Sequence, residues 1–393
     1  MDVALAVEHQ TGFTWDLYKT ALEKGVGAER NVVMSPLSIA TTLAMAGAGA
    51  KGETLKELTS VLKLPEGEAM HEFTAQIQAA VLKDGSGVGG PFLSFANGLW
   101  VDKSMTLKPK FLEQVKESYG AEARTANFIQ KADEERVAIN SWARDETKGK
   151  IEELLPANSL NQLSRLVLAN ALYFKGKWAK QFDAEDTKNK DFHLLNSETV
   201  SVPFLTSVKK QYIRKFDTHK VLKLPYARGD DQRSFSMYFV LPNEKAGLAE
   251  VEKNLDVKSL TKNLRWASRE VKVGDFFLPK FKISTGLTVP ESLVKLGLEV
   301  PFSDKADFTD MVEGPDAKLL FISDVFHKSF IEVNEEGTEA AAATGAVMAL
   351  RSLAMPEPPE DFVADHPFLF ILREDVTGVI LFIGRVTNPS LSE

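Results

Sequence analysis

The chain has 393 residues, and its 44% hydrophobic and 26% charged residues are typical of a soluble globular protein with a large core. Its formal net charge of −8 argues against binding driven by attraction to nucleic acid or to an anionic membrane. The absence of cysteine excludes disulfides, thiolate metal ligands and a cysteine nucleophile. No apolar run approaches the roughly 18 residues that a membrane-spanning helix needs, so we expect no membrane segment.

The start of the chain does not resemble a signal peptide. An acid stands where a base is needed, and the apolar stretch is already broken at Glu8. The one match to the N-glycosylation pattern, Asn388-Pro389-Ser390, is disqualified by its central proline. These features predict a cytoplasmic protein, with unconventional export to the extracellular space left open.

The first third of the chain has mostly helical patterns. Residues 31–38 predict a short strand that runs into a helix, with Ser35 as the N-cap and Pro36 at the first helical position. This helix is expected to end near Gly47. Apolar residues at helical spacing predict two more helices, over 107–120 and 132–148.

The later chain is dominated by predicted strands. The nearly continuous apolar run 166–174 is typical of a strand that is buried on both faces. Further strands are predicted at 235–241, 276–283 (interrupted by Pro279), 319–325, 368–372 and 379–386, with one helix at 284–298. Helices early and strands late, without βαβ alternation, indicate the α+β class. We find no repeat or linker and therefore predict a single domain over residues 1–393.

Residues 335–351 combine small side chains with two glycines. By propensity alone, Glu339 to Ala343 would form a helix. However, Gly337 and Gly345 bracket the alanines, no large side chain supplies a buried face, and an isolated helix this short is marginal in water. Prolines downstream favour an open segment; they are Pro356, Pro358 and Pro359.

The same segment also fits a strand with a period of two residues. One face is small and uncharged, and it consists of Thr338, Ala340, Ala342, Thr344, Ala346 and Met348. The other face consists of Glu339, Ala341, Ala343, Gly345, Val347 and Ala349. Gly337 can supply the backbone angles of a hinge. We therefore interpret the segment as a loop that can also become an inserted strand, with Leu350-Arg351-Ser352 at its far end as bait for a protease that cuts after basic residues.

This segment resembles the reactive loop of the serpins, the serine protease inhibitor family. The family's hinge pattern, two acids followed by Gly-Thr-x-Ala-Ala-Ala, stands here as Glu335, Glu336, Gly337, Thr338, Glu339, Ala340, Ala341 and Ala342, and we extend the hinge to Ala343. In inhibitory serpins the cleaved bond lies fourteen residues after the hinge glycine, which places it at Arg351–Ser352.

The resemblance covers the whole chain. Matching motifs occur in serpin order at 31–38, 170–178, 278–281, 365–368 and 384–389. Among serpins, the chain is most similar to plant members with Leu-Arg at the cleavage point. The resemblance implies a fold of about nine helices and three β-sheets, with an exposed reactive loop at about 335–360.

The resemblance also implies the function, which is irreversible suicide inhibition of a protease by an inhibitor that is not an enzyme. The protease cuts after Arg351, remains attached as an acyl-enzyme, and is trapped when the cut loop inserts into the central sheet. Leu350, Ala349 and Met348 would tune specificity. Expected partners are trypsin-like serine proteases, or papain-like cysteine proteases and metacaspases. No cofactor is expected, and the protein is expected to be a monomer for which loop–sheet polymerisation is a hazard.

Five further residues correspond to structural sites of the family. Ser35, Ser38, Asn170 and His327 match the shutter beneath the central sheet, and Trp178 matches the breach where the loop enters it. Filling of the core is an equally good interpretation of the tryptophan.

Several alternatives remain open at this stage. A hydrolase built on these serines and the histidine is disfavoured because no Gly-x-Ser-x-Gly elbow is present. A non-inhibitory storage or binding relative is disfavoured by the intact hinge. The histidines lack metal-ligand spacing, so we expect no metal site. A glycosaminoglycan patch is less favoured than a solvated face for Lys209, Lys210, Arg214, Lys215 and Lys220.

Overall fold

The computed structural model describes residues 3–24, 29–65, 67–266, 269–337 and 358–391. Within these ranges there are nine α-helices: α1 (Val3–Lys24), α2 (Pro36–Gly47), α3 (Gly52–Leu62), α4 (Glu68–Val81), α5 (Pro109–Tyr119), α6 (Phe128–Glu146), α7 (Leu248–Asn254), α8 (Val257–Trp266) and α9 (Pro290–Lys295). None of them is long and apolar enough to cross a membrane.

The strands of the same ranges are β1 (Val32–Met34), β2 (Phe92–Asp102), β3 (Thr106–Leu107), β4 (Glu122–Ala126), β5 (Leu166–Lys175), β6 (Lys188–His193), β7 (Thr199–Thr206), β8 (Tyr212–Lys215), β9 (His219–Pro225), β10 (Phe235–Pro242), β11 (Val273–Pro279), β12 (Phe281–Thr288), β13 (Val312–Glu313), β14 (Ile322–Val333), β15 (Glu360–Val363), β16 (Phe368–Glu374) and β17 (Ile380–Val386).

These strands form three main sheets and one small ribbon. The five-stranded central sheet has the order β12-β14-β5-β2-β4. A six-stranded sheet has the order β1-β17-β16-β10-β9-β8, and a four-stranded sheet has the order β15-β11-β7-β6. Strands β13 and β3 pair separately. The α+β class is confirmed.

Helix α2 begins as its sequence predicts. The Ser35 side chain accepts a hydrogen bond from the Ser38 amide, which satisfies one of the free N–H groups of the first turn. Pro36 occupies the first helical position, where its missing N–H is not needed. Eleven of the twelve helix residues are buried, so α2 lies inside the protein and not on its surface.

Strand β5 is buried on both faces, as the apolar run 166–174 predicts, and nine of its ten residues are buried. On the face that we call the front face, Ala169 and Ala171 pack with Trp142 of α6. On the opposite back face, the Asn170 side chain contacts Ser38 of α2. The middle of the central sheet is therefore covered by a helix on each side.

Three sequence-based predictions need correction. The strand predicted over 319–325 is β14, which begins at Ile322 and runs on to Val333 because its pairing with β12 continues to that residue. The helix predicted over 284–298 is wrong at its start, because β12 runs to Thr288 and α9 begins only at Pro290. All eight residues of β12 pair with β14, and this sheet register outweighs the local helical spacing. The strand predicted over 276–283 is two strands, since the chain leaves the four-stranded sheet at Pro279 and enters the central sheet at Phe281.

The two ends of the chain meet in the six-stranded sheet. Strand β1 pairs antiparallel with β17, with Val32 opposite Arg385. The Asn31 side chain adds hydrogen bonds, because its Oδ1 accepts from the backbone amides of Thr387 and Asn388 at 2.8 and 3.0 Å. A short N-terminal strand and the C-terminal strand are thus held as neighbours.

Candidate functional site

The central sheet contains an unusual boundary between β5 and β14, which we call the seam. The two strands are parallel and directly paired, with Asn170 opposite His327 and Tyr173 opposite Phe330. Their outer neighbours, β2 and β12, pair with them antiparallel. A strand that ran antiparallel to both β5 and β14 would therefore fit the directions of the sheet at the seam.

The chain that follows β14 turns back at the top of the seam. The Asn334 side chain accepts hydrogen bonds from the amides of Glu336 and Gly337 at 3.1 and 3.2 Å, and the Asn334 amide donates to the Gly337 carbonyl at 3.1 Å. Gly337 then forms an antiparallel bridge with Lys177, which lies just beyond the end of β5. The reversed chain has already made a first bridge on the β5 side.

Only glycine fits at position 337. Its φ of +144° is one that L side chains rarely adopt. A Cβ atom there would lie 2.0 Å from the Gly176 carbonyl oxygen and 2.7 Å from the Lys177 Cα atom. Because both atoms belong to the backbone, no side-chain movement relieves the clash.

Glu335 is anchored by its side chain and its backbone. Its carboxylate accepts hydrogen bonds from Lys280 Nζ at 2.9 Å and Thr187 Oγ1 at 2.8 Å. Burial alone would raise the pKa of Glu335, but the hydrogen bonds from Lys280, from the Glu335 backbone amide and from Thr187, together with the Lys280 charge, outweigh it and hold the pKa below its usual range. The Glu335 carbonyl also accepts from the Phe182 amide at 2.9 Å, so the turn is held from several sides.

Trp178 lies directly against this turn. Its indole N–H donates to the Asn334 carbonyl at 2.9 Å, and its backbone amide donates to the Glu336 carbonyl at 2.7 Å. The ring is 3% exposed and stacks on Tyr226 with centroids 4.5 Å apart. The residue therefore fills the core and contacts the hinge, which joins the two interpretations drawn from the sequence.

The four predicted shutter residues are brought together beneath the seam. The Ser35 amide donates to His327 Nε2 at 2.9 Å, so this nitrogen is an acceptor and the ring proton resides on Nδ1. His327 Nδ1 donates to Asn170 Oδ1 at 2.6 Å, and Ser38 Oγ donates to the same oxygen at 2.6 Å. These bonds fix the orientation of the Asn170 amide, whose Nδ2 is buried without a hydrogen-bond partner in the described part of the chain. The cluster links β5, β14 and α2.

Burial keeps His327 neutral by lowering its pKa to about 3. A hydrolase built on this histidine is disfavoured by the same geometry. Ser329 Oγ lies 2.7 Å from His327 Nε2, but both residues are fully buried and the Ser35 amide already donates to that nitrogen. Neither a substrate nor a developing oxyanion has access to this group.

Comparison with known proteins identifies the family. The sequence profile of the serpins, described as serine protease inhibitors, matches residues 8–389. The chain belongs to the serpin family. Serpin-ZXA from Oryza sativa subsp. japonica is 48% identical over 395 aligned residues, which cover 100% of this chain and 99% of the rice protein. The resemblance to plant serpins is thereby confirmed, and membership supports protease inhibition as the general activity.

Solved serpin structures share the fold. Arabidopsis AtSerpin1 in its native stressed conformation matches with a TM-score of 0.93 at 45% identity, and the match covers 100% of both chains. Human thyroxine-binding globulin, complexed with its ligand, matches with a TM-score of 0.86 at 26% identity, again over 100% of both chains. Because the fold also occurs in a ligand-binding serpin, trapping of a protease must be argued from the hinge and the seam.

The remaining predicted site residues of this serpin lie outside the described residues. They are Thr338, Glu339, Ala340, Ala341, Ala342, Ala343, Met348, Ala349, Leu350, Arg351 and Ser352. The described residues contain no group of three or more potential metal ligands.

Three residues of the hinge contacts were not predicted. Lys280 belongs to the Leu-Pro-Lys-Phe motif, but nothing local shows that it reaches Glu335. Thr187 has no motif at all. Asn334 precedes the acidic pair, and an asparagine there is a usable signal because its side chain often bonds to amides two and three residues later.

Proposed function

We propose that this serpin is a suicide inhibitor of proteases that cleave after arginine, and that it traps them by inserting the cut reactive loop at the seam. The observation that carries the proposal is the Lys177–Gly337 bridge. It directs the chain leaving β14 antiparallel to β5, at the top of the seam, where an antiparallel strand fits between two parallel neighbours. The central sheet has a second parallel pair, β2 and β4, but the bridge lies beside the seam and not beside that pair.

Hydrogen bonding favours insertion. Residues that follow Gly337 would run back along β14 and form one antiparallel ladder with it and a second with β5. Two antiparallel ladders would replace the single parallel pairing, and antiparallel pairing is slightly more stable per residue. Among the described residues, the Asn170 Nδ2 group at the seam has no hydrogen-bond partner, a cost typical of a strained buried network. Both features support a native state that holds stored free energy.

The side chains of the loop suit the same path. Helix α2 covers the back face of the seam and helix α6 covers its front face, so an inserting strand must fit between the two helices. Alanine, threonine and glycine provide small side chains on both faces of residues 340–346. A charge at the first inserting position would have to be buried at a large cost, and Thr338 avoids it.

The chemistry belongs to the protease. Its serine or cysteine attacks the Arg351 carbonyl, the peptide bond to Ser352 breaks, and the new amino terminus leaves with its proton. The acyl group of Arg351 stays on the protease as an ester or thioester. Water would normally hydrolyse this bond, so insertion must be faster than hydrolysis for the protease to be trapped. The inhibitor supplies no catalytic group.

Arg351 sets the class of target. An arginine before a small residue suits trypsin-like serine proteases. The same residue suits metacaspases and those papain-like cysteine proteases that accept basic residues, and these are the second target class we propose.

A gel assay with trypsin tests the proposal. We expect a covalent band at the summed mass of both proteins that survives SDS. Arg351→Ala should abolish the inhibition, and unchanged association kinetics in this variant would move the cleaved bond elsewhere. Thr338→Arg should be cut without trapping, and a full yield of complex in this variant would contradict the insertion argument. A storage or binding relative would only be clipped.

A further inference from the structure

An Arg-Gly-Asp tripeptide lies at the tip of the connection between β9 and β10. Arg228, Gly229 and Asp230 are all exposed, and the Asp231 amide closes the turn by donating to the Arg228 carbonyl at 2.9 Å. In the part of the chain that the structure describes, neither the Arg228 guanidinium nor the Asp230 carboxylate has a hydrogen-bond or ion-pair partner. Two opposite charges are thus presented side by side, and both remain available to another molecule.

The other charged pair of this connection is bound within the protein. Asp231 is buried, and its Oδ2 accepts from Arg233 Nη2 at 2.6 Å. Arg233 Nη1 also donates to the carbonyls of Val81 and Lys83 at 2.8 and 2.6 Å, at the end of α4. Asp231 and Arg233 therefore anchor the connection, and the charges at its tip are not needed for that purpose.

The turn is rigid because it is held on both sides of its tip. The Asp230 amide donates to the Val88 carbonyl at 2.9 Å, and the Ala227 amide donates to the Lys177 carbonyl at 2.7 Å. Gly229 has a φ of +54°, and a Cβ atom there would lie 2.3 Å from the Val88 carbonyl oxygen. Only glycine fits this position. The backbone between the two charged residues is therefore fixed before a partner binds, which lowers the entropy cost of association.

We propose that Arg228, Gly229 and Asp230 form a docking turn for a receptor protein whose cleft holds a divalent cation beside a carboxylate. The Cα atoms of residues two positions apart lie at most about 7 Å apart, so one cleft can take both side chains. The Arg228 guanidinium pairs with the carboxylate through two parallel hydrogen bonds. This function is separate from the trapping of a protease and does not depend on it.

The Asp230 carboxylate supplies an oxygen ligand to the cation, which is the ligand type that Mg²⁺ and Ca²⁺ prefer. The strength of the interaction favours a metal ion over a lysine or arginine of the partner. An exposed ion pair between two side chains contributes little to affinity, whereas a bound divalent ion is often the largest local charge of a site.

The chain offers a matched control in the turn between β8 and β9. Lys215 and Asp217 are also a basic residue and an aspartate two positions apart, and both are exposed. The residue between them is Phe216, whose ring stacks on His219 with centroids 4.9 Å apart. The charges are the same as in the docking turn, but the glycine and its backbone conformation are absent.

The test measures binding of the full-length protein to an immobilised integrin ectodomain, chosen as a probe that binds Arg-Gly-Asp peptides through a metal ion and a carboxylate. Binding is followed by biolayer interferometry in Mn²⁺. We expect saturable binding that EDTA abolishes and that a soluble Arg-Gly-Asp peptide competes away. Arg228→Ala and Asp230→Ala should each weaken binding by at least about 30-fold, as expected for truncation of one partner of a desolvated charge pair.

Three further proteins separate the docking turn from general attraction between charges. Asp230→Glu keeps the charge but moves the carboxylate by one methylene, so it should also bind more weakly. Gly229→Ala keeps both charges but displaces the turn, and it should lose affinity as well. Lys215→Ala/Asp217→Ala should stay within about 2-fold of the wild type, because its docking turn is intact. Thermal midpoints equal to that of the wild type would show that the charge variants are folded.

Several outcomes would overturn the proposal. They are a wild-type protein that does not bind the probe, binding that survives EDTA, and equal affinities in the wild type, Arg228→Ala and Asp230→Ala. A control double variant that loses as much affinity as Asp230→Ala would indicate non-specific charge attraction and would also overturn it. The yield of trypsin complex is measured on the same variants and should not change. A loss of trapping alone would concern the proposed function and not the docking turn.

Discussion

Replacing Gly337 by alanine tests whether the hinge bridge positions the proposed reactive loop. The new Cβ atom would lie 2.0 Å from the Gly176 carbonyl oxygen, so the backbone must move and the bridge to Lys177 must open. Backbone strain at this φ costs on the order of 1–3 kcal/mol. Loss of one or two hydrogen bonds of the turn adds about 1–2 kcal/mol. We therefore expect the native state to lose about 2–5 kcal/mol.

The measurement is urea unfolding followed by tryptophan fluorescence, together with the yield of trypsin complex. Gly286→Ala is the matched control, because a Cβ atom at Gly286 in β12 meets nothing within 4 Å. The control should unfold at the wild-type urea concentration, and Gly337→Ala at a clearly lower one. The yield of complex should also fall in Gly337→Ala. If both variants unfold and trap trypsin alike, the bridge does not hold the hinge and our reasoning is refuted.

Three more predictions concern the contacts around the seam. Burial lowers the pKa of His327 to about 3. The stability that the neutral His327 side chain contributes is therefore fully present above the unfolded pKa of about 6.5, and it is lost as the pH falls towards 3. Between pH 8 and pH 5 the free energy of unfolding, measured in urea, should fall by about 2 kcal/mol because of His327. His327→Gln should lack this part of the pH dependence. If the variant keeps the wild-type pH dependence, His327 is not the group responsible. Burial raises the pKa of Asp324 to about 6, so this carboxyl group adds stability as the pH falls. Its contribution is the same in the wild type and in His327→Gln, and it therefore cancels from the difference between the two proteins. Glu335→Gln should cost on the order of 1–3 kcal/mol by weakening the contact with Lys280, and a double-mutant cycle with Lys280→Met measures the coupling, which should not be zero. Ser35→Ala removes the N-cap of α2, which should cost about 1 kcal/mol of stability and lower the thermal midpoint of unfolding. An unchanged midpoint would show that the cap does not stabilise the protein.

Local signals were enough for the elements on either side of the seam. Ser35 and Pro36 marked the start of α2, and the apolar run 166–174 identified β5 as a strand buried on both faces. The helical spacing after Ser284 misled, because pairing with β14 decides the conformation of β12 and depends on residues more than 30 positions later. The spacing of apolar residues after Ser284 carries no information about this distant partner strand.

The candidate site was only partly accessible from the sequence. Serpin resemblance placed His327 and Asn170 together, and the register of β14 with β5 brings them face to face. The partners of Glu335 could not be found in this way, because Lys280 and Thr187 come from other strands or loops and have no pattern of their own.

The pairing of β1 with β17 has a consequence for how the chain folds during synthesis. Asn31 and Thr387 are hydrogen-bonded although they lie 356 positions apart, so the six-stranded sheet cannot be completed until β17 has left the ribosome. Contacts of such long range slow folding and leave apolar strands exposed in the meantime. The proposed reactive loop is made before β16 and β17, so it emerges while that sheet is still incomplete. The time before the C-terminal strands dock is therefore the period in which premature strand pairing and aggregation compete with the native fold.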